Sequence, residues 1–153
     1  MERQERREQI LNILAAGIRK VLLNTVPKPE ELQEIRMRLG QPLRVVRGKE
    51  EIVLRSGTEP YIVTKEELRE TMDYISHYSL YAYENELRQG FVTVEGGHRV
   101  GVAGKVIMEK ERVKNIQYIS SLNIRVSHEV LGCADRLIPY IVAVSYTHLT
   151  LPT

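Results

Sequence analysis

Cysteine occurs once, at Cys133, so no internal disulfide can form and the chain suits a reducing compartment. No apolar run approaches the roughly 18–20 residues that a membrane-spanning helix needs. The N-terminus reads MERQERREQ, charged and without an apolar centre, which excludes a secretory signal. Neither sign of charge dominates: 22 basic and 20 acidic side chains leave a formal net charge of +2. That balance gives no general attraction to nucleic acid or to an anionic membrane. Internal repeats and low-complexity segments are also absent. Together these absences point to a cytoplasmic globular chain.

Several kinds of active centre are missing as well. A phosphate loop needs GxxxxGK followed by Ser or Thr. Gly104-Lys105 is followed by Val106, and Arg99 stands where the first glycine belongs. No dinucleotide-binding GxGxxG occurs. His77, His98, His128 and His148 show no ligand spacing with Cys133, so no metal site is expected. Ser127-His128-Glu129 cannot form a triad, because neighbours on a strand point to opposite faces. Cys133 has only Arg136 near it in sequence and reads as structural rather than as an activated thiolate. Catalytic residues: none.

What is present is one domain's worth of chain, 153 residues with 42% hydrophobic and 27% charged side chains. Its clearest local signal is GFVTVEGGHRVGVAGK, Gly90 to Lys105. Valines alternate on both sides of Gly96-Gly97, which predicts a β-hairpin. A two-residue turn would pair Val94 with Arg99 and Val92 with Gly101. Phe91, Thr93, Val100 and Val102 would then share one face, and Arg99, Gly101 and Ala103 the other. Gly96, Gly97, Gly101 and Gly104 mark backbone that something large can approach closely, another layer or a ligand phosphate. His98, at the turn, is expected to be exposed.

Upstream, Ile10, Ile13, Leu14, Ile18, Val21 and Leu22 fall on one face of an amphipathic helix of roughly four turns. Arg6, Arg19 and Lys20 lie on its far side. Pro27 and Pro29 end it. From Gln33 the period becomes two, with Ile35, Met37 and Leu39 alternating with Glu34, Arg36 and Arg38. Turns at Gly40-Gln41-Pro42 and Arg47-Gly48-Lys49-Glu50 continue a meander through Leu43–Val46 and Ile52–Leu54, and Tyr61–Val63 makes a further short strand. Thr64 with Glu67 forms a capping box ahead of a helix burying Leu68, Met72 and Ile75. A second helical segment begins near Ser79 and stops at Gly90. Tyr74, Tyr78, Tyr81 and Tyr83 cluster there. Tyrosines can stack nucleobases, but Asp73, Glu84 and Glu86 crowd the segment with negative charge. Beyond the hairpin, a return at Glu109–Arg112 leads to strands at Val113–Ile116 and Leu122–Val126, then a short helix over Ala134–Tyr140. The fold class is α+β: an N-terminal helix over 1–26, then a mixed or antiparallel sheet with helices packed on it over 30–141.

Three stretches carry a family resemblance: EIRMRLGQPLRVV (34–46), GFVTVEGGHRVGVAGKV (90–106) and IQYISSLNIRVSHEVLGCADRLIPYI (116–141). From about residue 8 to residue 141 the chain resembles the N-terminal half of the stage III sporulation protein AA family. These are mother-cell ATPases of endospore-forming Firmicutes, related to secretion and pilus-retraction ATPases. The resemblance implies a PAS-like α+β domain preceding a RecA-like domain, and homo-hexamers using ATP and Mg²⁺. It also implies a cytoplasmic protein, peripheral at the mother-cell side of the forespore membrane, that energises a mother-cell-to-forespore channel. The expected partners are its own ATPase domain, neighbouring subunits and membrane proteins of the channel, and not nucleic acid. N-terminal domains of such ATPases contribute arginines to nucleotide phosphates, and Arg99 and Arg125 stand where this chain would supply them. Arginine's planar, permanently charged fork suits phosphate oxygens. Salt bridging on a strand face is the plainer role for the same two residues.

The pattern departs after Ile141. VSYTHLTLPT resembles the in-frame translation of a transposase adapter, so residues 142–153 are expected to be a non-native tail and the ATPase half to be cut off before its phosphate loop. The chain alone would then bind no cofactor and hydrolyse no ATP. One rival reading is a stand-alone adaptor that docks a partner through its first helix. Another is a nucleic-acid binder using the tyrosines with Arg36, Arg38 and Arg44, which the near-neutral charge disfavours.

Overall fold

The computed structural model describes residues 2–110, 112–128 and 137–140. Its elements run α1 (Arg3–Asn12), α2 (Ala16–Thr25), a 3-10 turn (Pro29–Glu31), β1 (Glu34–Arg38), β2 (Arg44–Arg47), β3 (Glu50–Val53), β4 (Arg55–Ser56), β5 (Glu59–Pro60), α3 (Lys65–Ile75), a second 3-10 turn (Leu80–Tyr83), α4 (Glu84–Gln89), β6 (Phe91–Thr93), β7 (Arg99–Glu109) and β8 (Arg112–Arg125). Six strands form one antiparallel sheet in the order β3-β2-β1-β8-β7-β6, and β4 with β5 makes a separate small ribbon. The class is α+β, as the residue periodicity implies.

The apolar run expected as one N-terminal helix is broken into two. No proline sits at the break; α3 causes it by supplying better partners to the backbone. Thr71 Oγ1 accepts from the Ala15 N–H at 3.0 Å and Glu70 Oε2 from the Ala16 N–H at 2.6 Å. Those are donors that the start of α2 would otherwise leave free. Arg19 folds back to donate to the carbonyls of Leu11 and Leu14, at 3.0 and 2.9 Å, closing the end of α1. The expected stripe stays inward across the break: Ile10 of α1, Leu14 between the helices, and Ile18 and Leu22 of α2 are fully buried.

α3 begins as its capping box requires. Thr64 Oγ1 accepts from the Glu67 N–H while Glu67 Oε1 accepts from the Thr64 N–H at 2.9 Å. The second Glu67 oxygen accepts from the Tyr61 hydroxyl, and burial together with that carboxylate pushes the phenol well above its ordinary value. Leu68, Met72 and Ile75 are buried beneath α3. Gly90, at φ 89°, ends α4 in the left-handed region.

The inner row of the sheet, Val92–Val100–Ile124–Ile35–Val45–Ile52, runs across all six strands and joins the helices in one core. Three strand details differ from the pattern. Tyr61–Val63 does not pair as a strand but hydrogen-bonds to the backbone of Gln41 and Leu43, with only a bridge from Pro42 to Ile62. The expected strands at Val113–Ile116 and Leu122–Val126 are parts of one continuous β8, which follows β7 through bulges because no turn residue interrupts it. The hairpin register is shifted by one: Val92 faces Val100 and Thr93 faces Arg99. Val94 N–H donates to the His98 carbonyl, so the loop takes three residues, Glu95 to Gly97, with both glycines at positive φ. Cys133, His148, the first three residues of the expected exit helix (134–136) and the tail lie outside the described residues.

Candidate functional site

The shifted register decides which residues share the outer face of the sheet. One outer row reads Thr93–Arg99–Arg125–Glu34–Val46–Glu51 and crosses all six strands. The next reads Phe91–Gly101–Asn123–Arg36–Arg44–Val53. Phe91 and Thr93 therefore lie with Arg99, not opposite it as a two-residue turn would require. Arg99 and Arg125, separated in sequence, become direct cross-strand neighbours. Five arginines, Arg36, Arg38, Arg44, Arg99 and Arg125, project from this face, because Ile35, Met37, Val45, Val100 and Ile124 occupy the alternate, buried positions.

Two carboxylates organise part of the array. Glu34 Oε2 accepts from Arg36 Nε at 2.8 Å, and its Oε1 lies 3.4 Å from Arg125 Nε. Glu51 Oε1 meets Arg36 at 3.2 Å and Arg44 at 3.6 Å. The Glu34 hydrogen bond, then its charge, holds the Arg36 proton more tightly than usual. Arg99 instead places its guanidinium over the Phe91 ring, 4.7 Å from the centroid. Beside it Gly101 leaves the outward side of β7 bare; a Cβ there would make only ordinary contact with Asn123. A shallow hollow of 270 Å³ lies over Glu34, Arg38, Asn123 and Arg125. Asn123 Oδ1, at its base, is inaccessible and has no hydrogen-bond partner among the described residues. Such a surface can receive a multiply charged anion or a carboxylate-rich protein face: Arg99 and Arg125 offer adjacent forks, and the strand spacing of ~4.8 Å suits oxygens of one phosphate chain.

The four hairpin glycines do not act together. Gly101 lies on the arginine face. Gly104 sits at a bulge, where a Cβ would strike the Tyr118 carbonyl of β8. Gly96 and Gly97 form the loop at the other end, and a Cβ on Gly96 would strike Gln9 and His98. The close approach at Gly96 and Gly104 is thus made by the chain's own backbone and side chains.

His98 is buried, not exposed as its place at the turn suggested. Its Nδ1 accepts from the Ser127 N–H at 2.9 Å, so Nε2 carries the proton and donates to Gln9 Oε1 at 2.9 Å. Burial, then the nearby charges of Arg6 and His128, push this imidazole below its ordinary value. It is a neutral strut between α1, the hairpin and the end of β8. His128 Nε2 approaches the Leu32 carbonyl at 2.6 Å and is likewise structural.

Residue-by-residue reading missed Glu34 and Phe91 as partners of Arg125 and Arg99. The alternation of Glu34, Arg36 and Arg38 marked them as outward, but only strand order brings β1 beside β8.

Comparison with known proteins gives two matches. The family model described as sporulation stage III, protein AA matches residues 4–152. Stage III sporulation protein AA of Bacillus subtilis (strain 168) is 36% identical over 135 residues, covering 87% of this chain and 42% of that protein. The chain thus spans less than half the length of that relative. No solved structure matches.

Proposed function

The chain belongs to the sporulation stage III protein AA family, and from that premise we propose that it is the N-terminal regulatory and assembly domain of a longer mother-cell ATPase. In this reading the intact protein works as a homo-hexamer at the mother-cell side of the forespore membrane and energises the channel between the two cells. The outer sheet face meets the ATPase domain, its own or a neighbour's. Arg99 and Arg125 donate to nucleotide phosphates at that junction.

The observation that carries the reading is the pairing of Arg99 with Arg125 on an exposed face beside the bare backbone of Gly101. Like charges placed directly opposite across a ladder are mutually destabilising. An anion between them turns that repulsion into attraction. The residues fit phosphate oxygens in kind, being two permanently charged donors with no bulky side chain between them and Gly101. They do not supply hydrolysis. No GxxxxGK[ST] lies in the chain, so ATP-bound Mg²⁺ and the phosphate loop belong to the ATPase part, where the metal supplies charge neutralisation during phosphoryl transfer. The chain's own residues hold positive charge at the junction.

Reading the gene past the codon for Ile141 tests this. A GxxxxGK[ST] within a few dozen codons is the expected result. A clean copy of the gene with a stop codon there would instead leave the stand-alone adaptor.

A further inference from the structure

We propose that the hollow between α1, the C-terminal end of α3 and the loop joining β6 to β7 binds an arginine or lysine side chain of a basic peptide segment in a partner protein. The proposal does not depend on the reading of the outer sheet face. The hollow measures 370 Å³ and is walled by Tyr74, Tyr78 and Tyr83, with Gln9, Asn12, His77, Thr93 and Glu95 as polar residues. That volume lies at the small end of ligand sites, which run from roughly 300 to 1,000 Å³, and suits one side chain with its peptide unit.

The backbone at the rim is strained. His77 and Tyr78 adopt φ of 50° and 60°, consecutive left-handed residues of which neither is glycine. The chain uses glycine for the same task at Gly90, so the fold does not lack the ordinary solution. At Tyr78 an aromatic ring is kept where glycine would be more comfortable. Its N–H donates to the Asp73 carbonyl at 2.8 Å, which fixes the conformation. Its ring stands edge-on to Tyr74, centroids 6.3 Å apart, yet the residue is 74% exposed. A largely exposed ring contributes little to the core, so strain retained to present it points to a surface role.

Gln9 supplies a second, independent signal. It is only 9% exposed, and its oxygen is committed to the His98 Nε2–H. That commitment follows from the Ser127 N–H bonding to Nδ1, which leaves the Gln9 amide one orientation. Gln9 lines the hollow, and its NH₂ group, not used by His98, is available to donate to an incoming acceptor.

Charge selects the ligand. Glu95 is the one formally charged side chain in the described lining. Glu86 stands at the edge, its Oε2 accepting from the Thr93 N–H at 3.0 Å. An anion would be repelled there, and a purely apolar group would leave the Gln9 amide unpaired. A cation over tyrosine faces, neutralised by Glu95, with its own peptide carbonyl accepting from Gln9, gives both of these side chains a partner.

The test is fluorescence anisotropy of the full chain with a labelled alanine peptide carrying one central arginine, against versions carrying alanine or glutamate at that place. The arginine peptide should bind most tightly. Tyr78→Gly relieves the left-handed strain, so it should raise Tm while weakening the arginine peptide by about tenfold. Glu95→Gln, a surface change that leaves folding intact, should weaken it severalfold and flatten its salt dependence. Equal or tighter binding of the alanine or glutamate peptide, absence of binding by the arginine peptide, or undiminished binding by Tyr78→Gly overturns the proposal.

Discussion

Arg99 and Arg125 lie directly opposite each other across the β7–β8 ladder, one stacked on Phe91 and the other 3.4 Å from Glu34. Removing Arg99 loses the contact with Phe91 but also relieves the like-charge pair. The two effects are each at most about 1 kcal/mol and of opposite sign. Arg99→Ala should therefore change folding stability by less than about 0.5 kcal/mol, read as a denaturant midpoint. A large loss would make Arg99 a structural residue.

His98 makes stability depend on pH. Its imidazole titrates lower in the folded chain than its ordinary value of 6.5, because burial disfavours the charged form. The unfolded chain then binds the proton more readily than the folded one below 6.5. The contribution of His98 is complete above that value and declines as pH falls through it towards the lower folded value. The urea midpoint should drop as pH falls below the ordinary imidazole value, and His98→Leu should remove part of that slope while lowering the whole curve.

The Glu67 carboxylate serves three donors, the Thr64 N–H, the Thr64 hydroxyl and the Tyr61 hydroxyl. Thr64→Ala removes the hydroxyl's bonds within the capping box but leaves the Tyr61 contact, and should cost about 1 kcal/mol. Glu67→Ala also leaves a half-buried phenol without its acceptor, and should cost more than Thr64→Ala in the same thermal-melt comparison.

Gly104→Ala drives a methyl into the backbone carbonyl of Tyr118, which has no rotamer to yield. A loss of roughly 2 kcal/mol or more is expected by chemical denaturation. Gly101→Ala, in ordinary contact only, should be mild by the same measurement.

Local chemistry was readable wherever the partners were close in sequence. Thr64 and Glu67 announced the start of α3, Gly90 the end of α4, and the alternation from Gln33 the first three strands. What could not be read depended on partners far along the chain. Ala15 and Ala16 break the N-terminal helix because Thr71 and Glu70 take their N–H groups. His98 is buried because Gln9 and Ser127 receive it. The hairpin register turned on one backbone bond, Val94 to His98, which no residue type at Gly96-Gly97 dictates. Arg99 and Arg125 were identifiable as arginines on strands, but their adjacency is a product of that register. The strain at Tyr78 left no mark in the sequence, since tyrosine is not a residue that the left-handed region favours.

The most direct test of the proposed role is ATP turnover by the longer protein proposed to carry this domain, with Arg99→Ala and Arg125→Ala compared with the parent and with Arg44→Ala on the same face. The account expects the first two to lower kcat by about tenfold or more, without change in Tm, and Arg44→Ala to leave it nearly unaltered. Turnover unchanged by loss of both Arg99 and Arg125 would contradict it.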